Sequence, residues 1–293
     1  MRPVKRLLSV HLGTPAFEQS VAYYTKGFGL GVALSADVAT ARFTGVASDK
    51  PVLTISRAPQ AELAELKFAV SSEQDLRQAG SQLWANGYAP VDSVTATDGS
   101  LTIVDPDGRR VTLQIDAAQV GADDVGGQPL ILSHVVLNSP DVHRLTAFFV
   151  DALGFTIADR YEQDFLTFLR CDQPQHHCIG ISPAATASLN HFSIDVGSVD
   201  GVMKGVGRMQ KLGLQPIWGP GRHGPGGNVF CYFEDPSGFV AEFTCDVQQI
   251  EDEAVWVAKE WPRNAETGNV WGTGGPSPRA IALMSGRASV ATG

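Results

Sequence analysis

The chain has 293 residues, a formal net charge of -9 at pH 7 and 43% hydrophobic residues. That length and apolar content indicate a globular protein of about two domains with a sizeable core. The acidic balance, without a block or stripe of Lys and Arg, argues against a nucleic-acid binder. No apolar run is long enough to span a bilayer, so we expect no membrane partner.

The N-terminal stretch is basic at its start but has neither a sustained apolar core nor a small-residue cleavage site. We therefore expect a cytoplasmic protein. The cysteines form neither a CxxC pair nor a zinc-like cluster, and buried thiols are the expected state of Cys171, Cys178, Cys231 and Cys245.

The chain repeats itself. A strand, a Pro turn and an amphipathic helix occur in LLSVHLGTPAFEQSVAYYTKGFGL (7–30) and again in ILSHVVLNSPDVHRLTAFFVDALGF (131–155). A second strand and helix occur in ELKFAVSSEQDLRQAGSQLWANGY (65–88) and in LNHFSIDVGSVDGVMKGVGRMQKLGL (189–214). Two strands joined by a DPxG turn occur in LTIVDPDGRRVTLQI (101–115) and in CYFEDPSGFVAEFTC (231–245). Such internal similarity predicts a duplicated architecture.

These repeats predict the domain boundaries. Two modules fill residues 1–116, an acidic Gly-rich linker covers 117–129, and two further modules fill 130–246. The predicted fold class is α+β, with four βαβββ modules paired into two cup-shaped domains that enclose cavities. We expect the tail, 247–293, to pack on the second half and to be disordered over about its last dozen residues.

Three strand positions differ between the halves in a way that indicates chemistry. The second half has two histidines and a glutamate where aligned positions of the first half have Ser, Lys and Thr. The aligned pairs are His134 with Ser9, His191 with Lys67, and Glu242 with Thr112. The first half is expected to fold without these side chains, so fold maintenance does not explain them.

Two imidazoles and one carboxylate on adjacent strands match the facial triad that binds Fe(II), and the same donors suit Mn(II). Each residue also has an ordinary structural explanation. His191 fits a solvent-facing strand edge, His134 a hydrogen-bonded core histidine, and Glu242 an exposed strand carboxylate. Their joint occurrence where the repeat predicts one site favours the metal interpretation.

At these residues the sequence resembles the vicinal oxygen chelate superfamily, which has the glyoxalase/bleomycin resistance/dihydroxybiphenyl dioxygenase fold. More narrowly, it is similar to type I extradiol ring-cleaving dioxygenases acting on catechol or 2,3-dihydroxybiphenyl. The resemblance covers residues 1 to about 265 and is most specific from His176 to Glu242. It implies a non-catalytic first half and a catalytic second half that binds Fe(II) through His134, His191 and Glu242.

Two further motifs carry catalytic roles by the same resemblance. QHHCIGI (175–181) resembles the family's HH motif, which gives His177 as acid and base, with His176 as the alternative because the spacing to His191 is one residue short. GRHGPGGNVFCYF (221–233) resembles the segment in which His223 and Tyr232 would hydrogen-bond the substrate hydroxyl. Many members carry Asp or Asn shortly after that histidine, whereas this chain has Gly-Pro-Gly-Gly.

The implied function is insertion of both atoms of O2 into a catechol during aromatic catabolism, with a homo-oligomer expected. A hydrophobic or bicyclic catechol is favoured because only Arg222 offers a charge for a carboxylated side arm. Candidate pocket walls are Val136, Phe168, Trp261 and Pro262. The alternatives are another metalloenzyme on this scaffold, such as a glyoxalase-like isomerase or a lyase, and a non-catalytic small-molecule-binding or resistance protein.

Overall fold

The computed structural model describes residues 2–35, 38–47, 49–91, 99–117 and 127–286. Within these residues the first half forms a seven-stranded sheet in the order β2-β3-β4-β1-β5-β7-β6. Its strands are β1 (Val4–Thr14), β2 (Gly31–Leu34), β3 (Thr40–Thr44), β4 (Pro51–Arg57), β5 (Glu62–Val70), β6 (Ser100–Val104) and β7 (Arg110–Ile115).

The described part of the second half forms a nine-stranded sheet in the order β13-β14-β15-β12-β8-β11-β10-β9-β16. Its strands are β8 (Ile131–Ser139), β9 (Thr156–Tyr161), β10 (Thr167–Arg170), β11 (Ile179–Pro183), β12 (Ser188–Asp195), β13 (Trp218–Arg222), β14 (Val229–Glu234), β15 (Val240–Cys245) and β16 (Glu260–Trp261). The predicted α+β class with two sheet domains is confirmed.

The helices follow the same repeat. In each half a short α-helix follows the first strand and continues as a π-helical turn, and one longer helix comes later. The α-helices are α1 (Phe17–Ala22, continued by the π-turn Tyr23–Phe28), α2 (Glu73–Ala85), α3 (Val142–Ala147, continued by Phe148–Ala152), α4 (Val199–Lys211), α5 (Ala265–Gly268) and α6 (Pro278–Met284). Ser72 and Ser198 cap α2 and α4 by the same bond, in which the hydroxyl accepts from the backbone N–H three residues later.

The sheet register corrects one part of the alignment between the halves. Leu66 pairs with Val10 and Val111, and Phe192 pairs with their counterparts on the second sheet, Val135 and Ala241. The first-half residue at the position of His191 is therefore Glu65 and not Lys67. A two-residue shift keeps each side chain on the same face of a strand, so the hydrophobic pattern alone does not exclude it.

The two halves share one hydrophobic core. The ring of Phe28 stacks on that of Phe243 with centroids 4.1 Å apart, and Phe68 meets Phe155 edge to face at 5.5 Å. These buried rings join the π-turn after α1, and strand β5, to the second half. Such packing between aromatic faces and edges stabilises the docking of the two halves beyond their area of contact.

Both DPxG turns are held by the first aspartate. Asp105 Oδ1 accepts the backbone N–H of Asp107 and Arg109, and Asp235 Oδ1 accepts the equivalent N–H groups of Ser237 and Phe239. Gly108 (φ 89°) and Gly238 (φ 84°) adopt the left-handed conformation that the turn requires.

The tail packs on the second half. β16 pairs with β9, and α6 contacts β12 and β15. Within the described residues, no helix is long and apolar enough to cross a membrane. Most of the predicted linker, 118–126, and the chain end, 287–293, lie outside the described residues.

Replacing Tyr24 with Phe tests the polar link between the halves. The Tyr24 hydroxyl donates to Asp235 Oδ2 at 2.9 Å, and both residues are buried. Burial raises the pKa of Asp235 to about 6, so at pH 8 this carboxylate is ionised and needs its donor. We expect Tyr24→Phe to lower the free energy of unfolding by about 1.5–3 kcal/mol in urea titrations. Tyr88→Phe, at a half-buried ring that packs on Phe148, is the control; equal losses in the two variants would contradict the assigned role.

Candidate metal centre

Three neighbouring strands bring the predicted ligands together. His134 lies on β8, His191 on β12 and Glu242 on β15, and these strands are adjacent in the order β15-β12-β8. Glu242 Oε2 lies 3.0 Å from His134 Nε2 and 3.5 Å from His191 Nε2. All three residues are buried, and one ligand atom from each lies within 4.8 Å of the others.

This donor set fits a divalent transition metal. Ligands about 2.1 Å from a metal and at right angles to each other lie about 3 Å apart, close to the two nitrogen–oxygen distances here. Two imidazoles and one carboxylate leave further coordination positions for other ligands. The buried carboxylate also needs compensating charge or hydrogen bonds, and Asn228 Nδ2 is a further donor, 3.4 Å from Glu242 Oε1.

The electrostatics favour the metal-binding forms of Glu242 and His191. Burial alone would raise the pKa of Glu242, but His134 and His191 hold it below its ordinary value, so the carboxylate is ionised. Burial lowers the pKa of His191 to about 3, against the opposing effect of Glu242, so this imidazole is neutral. A carboxylate and a neutral imidazole are the forms that coordinate a cation.

Two asparagines orient His191. Asn190 Oδ1 lies 2.8 Å from His191 Nδ1, and Asn190 Nδ2 donates to Asn138 Oδ1 at 3.0 Å. Asn138 Nδ2 in turn donates to the carbonyl of Met284 at the end of α6. Because Asn190 Oδ1 can only accept, His191 carries its proton on Nδ1 and leaves the Nε2 lone pair directed at the centre.

His177 lies beside the three candidate ligands. Its ring centroid is 4.7 Å from that of His134, and its Nδ1 is 3.0 Å from Nδ1 of His176. Burial, followed by the neighbouring histidines, lowers the pKa of His177 well below its ordinary value. The structure thus places His177, and not His176, nearer the ligand set.

His223 and Tyr232 form a hydrogen-bonded pair on the side of His191. His223 Nδ1 lies 2.8 Å from the carbonyl oxygen of Gly268 and therefore donates to it, so Nε2 accepts from the Tyr232 hydroxyl at 3.0 Å. The Tyr232 ring meets the ring of His191 edge to face at 5.0 Å. Burial, with the nearby charge of Glu242, raises the pKa of Tyr232 well above its ordinary value, so the phenol keeps its proton.

The Gly-Pro-Gly-Gly segment after His223 has a steric role. Gly226 is in the left-handed conformation (φ 72°), and a Cβ there would lie 3.1 Å from Nδ1 of both His176 and His177. The backbone can approach the two imidazoles this closely because the residue is glycine. This contact accounts for glycine at one position of the segment that departs from the family pattern.

Several residues of the site have no signal in the sequence. Asp159 reads as one polar position of an alternating strand, yet it is buried and lies 3.1 Å from His176 Nε2. Asn190 is a single amide within strand β12, and Asn228 is a single amide in the loop before β14. Asn228 contacts residues well separated from it in the chain, and an asparagine next to a histidine, as at Asn190, is too common to indicate a site. No spacing rule could therefore have identified these residues.

Comparison with known proteins identifies the family. Residues 131–243, which contain every candidate ligand, match the family model described as the Glyoxalase/Bleomycin resistance protein/Dioxygenase superfamily. Metapyrocatechase 2 of Cupriavidus necator is 32% identical over 224 residues, which cover 68% of this chain and 69% of the relative. The chain therefore belongs to this superfamily.

Two further relatives differ in the chemistry that their names state. An iron-dependent extradiol dioxygenase of Rhodococcus jostii is 31% identical over 143 residues, 44% of this chain and 47% of the relative, so the match spans less than half of that protein. A crystal structure of the Mn(II)-bound glyoxalase from Novosphingobium aromaticivorans superposes with a TM-score of 0.85 at 31% identity, covering 96% of this chain and 94% of that one. Both names include a transition metal.

Metal binding should depend on the second half only. We expect His191→Ala and Glu242→Gln to weaken Mn(II) binding by more than about a hundredfold, because each removes one of the three donors. Competition with a fluorescent chelator measures the dissociation constants. The controls are Glu65→Gln and Thr112→Val at the matching positions of the first half, where we expect changes below about twofold; an equal loss in these variants would refute a single metal-binding half.

The orientation of His191 gives a milder, separate prediction. Asn190→Leu removes the acceptor for the Nδ1 proton and should weaken Mn(II) binding by about 10–100-fold without removing a ligand. Asn190→Asp keeps an acceptor and should retain tight binding in the same titration. If Asn190→Leu bound Mn(II) like the unaltered protein, the asparagine would have no part in orienting His191.

Proposed function

We propose that the protein is an extradiol ring-cleaving dioxygenase that uses Fe(II), with Mn(II) as the alternative metal, to insert both atoms of O2 into a catechol. One observation carries the proposal. The buried set His134, His191 and Glu242 has an imidazole, His177, next to one histidine and a phenol, Tyr232, next to the other. Similarity to relatives named Metapyrocatechase 2, iron-dependent extradiol dioxygenase and 3-methylcatechol 2,3-dioxygenase supports it.

The three candidate ligands would hold the metal. When bound there, a divalent metal supplies Lewis acidity that lowers the pKa of a coordinated hydroxyl, and Fe(II) adds the redox chemistry that O2 requires. Glu242 contributes one negative charge, and His134 and His191 contribute neutral nitrogen donors. Substrate binding and proton transfer would be performed by side chains of the chain itself.

Tyr232 and His223 would bind the substrate oxygen. Because the Tyr232 phenol stays protonated, its hydroxyl can turn from His223 Nε2 to a substrate oxygen and donate to it. A fixed donor in a buried site stabilises negative charge on that oxygen more strongly than water does. The carbonyl of Gly268 keeps His223 in the orientation that supports the tyrosine.

His177 would move the proton. Its buried imidazole is neutral and can accept a proton from a catechol hydroxyl, then return it during ring opening. The ring bond beside the diol breaks, and each of its two carbons gains one oxygen atom. The catechol provides all the electrons for the reduction of O2, so no external reductant is needed.

The surroundings favour an uncharged substrate. Arg222, the one cation considered for a carboxylated side arm, donates to the carbonyl of Gly227 and to Asp246 at 2.7 Å. Phe168 packs its ring 4.8 Å from that of His177 and is one of the aromatic residues at the site. A hydrophobic or bicyclic catechol is therefore the proposed substrate class.

The first half is proposed to be non-catalytic. Its matching positions hold Ser9, Glu65 and Thr112, and the Thr112 hydroxyl donates to Glu65 Oε1 at 2.6 Å. Glu65 also lies 3.3 Å from Lys67 Nζ. These groups satisfy one another and offer no imidazole to a metal.

A glyoxalase-type isomerase is the second candidate, because the Mn(II)-bound glyoxalase has the same fold at 31% identity. An isomerase or a non-catalytic binder has no need of a catechol-binding phenol and a separate proton carrier. The arrangement of His177 and of Tyr232 with His223 around the ligand set favours the dioxygenase.

The deciding experiment loads the protein with Fe(II) under anaerobic conditions and then adds catechol and air. We expect oxygen uptake and a yellow ring-opened product, with 3-methylcatechol and 2,3-dihydroxybiphenyl preferred over 3,4-dihydroxyphenylacetate in kcat/KM. Product is measured by absorbance and oxygen by electrode. Mn(II)-loaded protein, tested in parallel, decides between the two metals.

Two controls separate the candidates. Glu242→Gln should give no product with any catechol, and the hemithioacetal of methylglyoxal and glutathione should give no isomerisation. An absence of oxygen uptake with every catechol, together with turnover of the hemithioacetal, would replace the dioxygenase by the isomerase.

A further inference from the structure

We propose that Asp159 and His176 are positioning residues that hold the imidazole of His177 in one orientation and one tautomer. The inference rests on the proposed function, in which His177 carries the proton. It assigns a role to a buried carboxylate and a buried imidazole that are not among the candidate ligands.

Asp159, His176 and His177 are linked by two successive side-chain contacts. Asp159 Oδ2 lies 3.1 Å from His176 Nε2, and His176 Nδ1 lies 3.0 Å from His177 Nδ1. Asp159 is 1% exposed, His176 0% and His177 2%, so water does not compete for these contacts. Among the described residues, His176 Nε2 makes no hydrogen bond of good geometry, and the Asp159 carboxylate is the charged group in contact with it.

Asp159 is kept ionised by donors from the tail. The backbone N–H of Lys259 donates to Oδ1 at 2.7 Å, and the indole N–H of Trp261 donates to Oδ2 at 2.7 Å. Burial alone would raise the pKa of Asp159, but His176 and these two donors hold it below its ordinary value. The carboxylate is therefore an acceptor at every oxygen.

The two contacts together suit one arrangement of protons. A carboxylate oxygen 3.1 Å from Nε2 favours a proton on that nitrogen, and the His176 tautomer with its proton at Nε2 presents a lone pair at Nδ1. In this arrangement His177 donates its Nδ1 proton across the 3.0 Å contact. Nε2 of His177 is left unprotonated, which is the state that accepts a proton from a substrate hydroxyl. A carboxylate that orients a histidine in this way also stabilises the imidazolium once it forms.

The two imidazoles are closely packed. Gly226 approaches Nδ1 of both histidines so closely that a Cβ would lie 3.1 Å from each. The ring of Trp256 meets His176 edge to face at 5.6 Å, and its indole N–H is fixed by the carbonyl of Ala158. Two tryptophans of the tail therefore contact this group of residues: Trp256 packs on His176, and Trp261 donates to Asp159.

The test combines a tautomer measurement with steady-state kinetics. Nitrogen-15 histidine NMR on the diamagnetic Zn(II)-loaded protein should show His177 protonated at Nδ1 only, and Asp159→Asn should produce a mixture of tautomers. In the iron-loaded enzyme we expect Asp159→Asn and His176→Gln to lower kcat by about 10–1,000-fold while KM changes less than threefold. Iron content and circular dichroism are recorded for each variant.

The control is Asp164→Asn, at a partly exposed carboxylate near Arg160, which should leave both the kcat and the tautomer unchanged. A single Nδ1 tautomer in Asp159→Asn, with kcat within twofold of the unaltered enzyme, would overturn the inference. So would a loss of kcat that merely follows a loss of iron. If the unaltered protein cleaves no catechol, the proposed function fails, and the NMR result still decides whether Asp159 fixes His177.

Discussion

The buried carboxylate of Glu242 is the constraint on which the second half depends. A carboxylate without exposure is strongly destabilising unless donors or cations surround it, and here His134, His191 and Asn228 do so. These partners reach it because β8, β12 and β15 are neighbours in one sheet. The ionised carboxylate of Glu242 can therefore be buried only because this strand order brings its partners within reach. The partners that it needs are also side chains that suit a metal.

Comparison of the two halves distinguishes carboxylates that stabilise the fold from a carboxylate that belongs to a site. Asp105 and Asp235 occupy the same turn in both halves and accept the same two backbone N–H groups, so each is explained by the turn. Glu242 has Thr112 as its counterpart, and the seven strands of the first sheet have the same order as their counterparts in the second sheet with that threonine in place. Glu65 shows that a carboxylate is tolerated in the first half, where Thr112 and Lys67 satisfy it.

The sequence predicted the repeat, the sheet domains and the three residues that meet at the centre, because strand alternation and the DPxG turns leave strong local patterns. The prediction that Lys67 is the counterpart of His191 was wrong, because the counterpart is Glu65. Lys67 and Glu65 lie on the same face of β5, so a two-residue shift leaves the alternation of hydrophobic and polar residues unchanged. Asp159 was missed for a different reason: its donors lie about a hundred residues further along the chain, in the tail. Neither a period nor a motif encodes a contact of that kind.

The tail completes the site although it lies outside the family match. Residues 131–243 contain all the candidate ligands and the three proposed catalytic side chains. The partners that orient them come largely from later residues: Trp261 for Asp159, the Gly268 carbonyl for His223, and the Met284 carbonyl for Asn138. The tautomer and direction of a ligand depend on such contacts. The segment matched by the family therefore supplies the candidate donors, and the tail supplies several of the contacts that orient them.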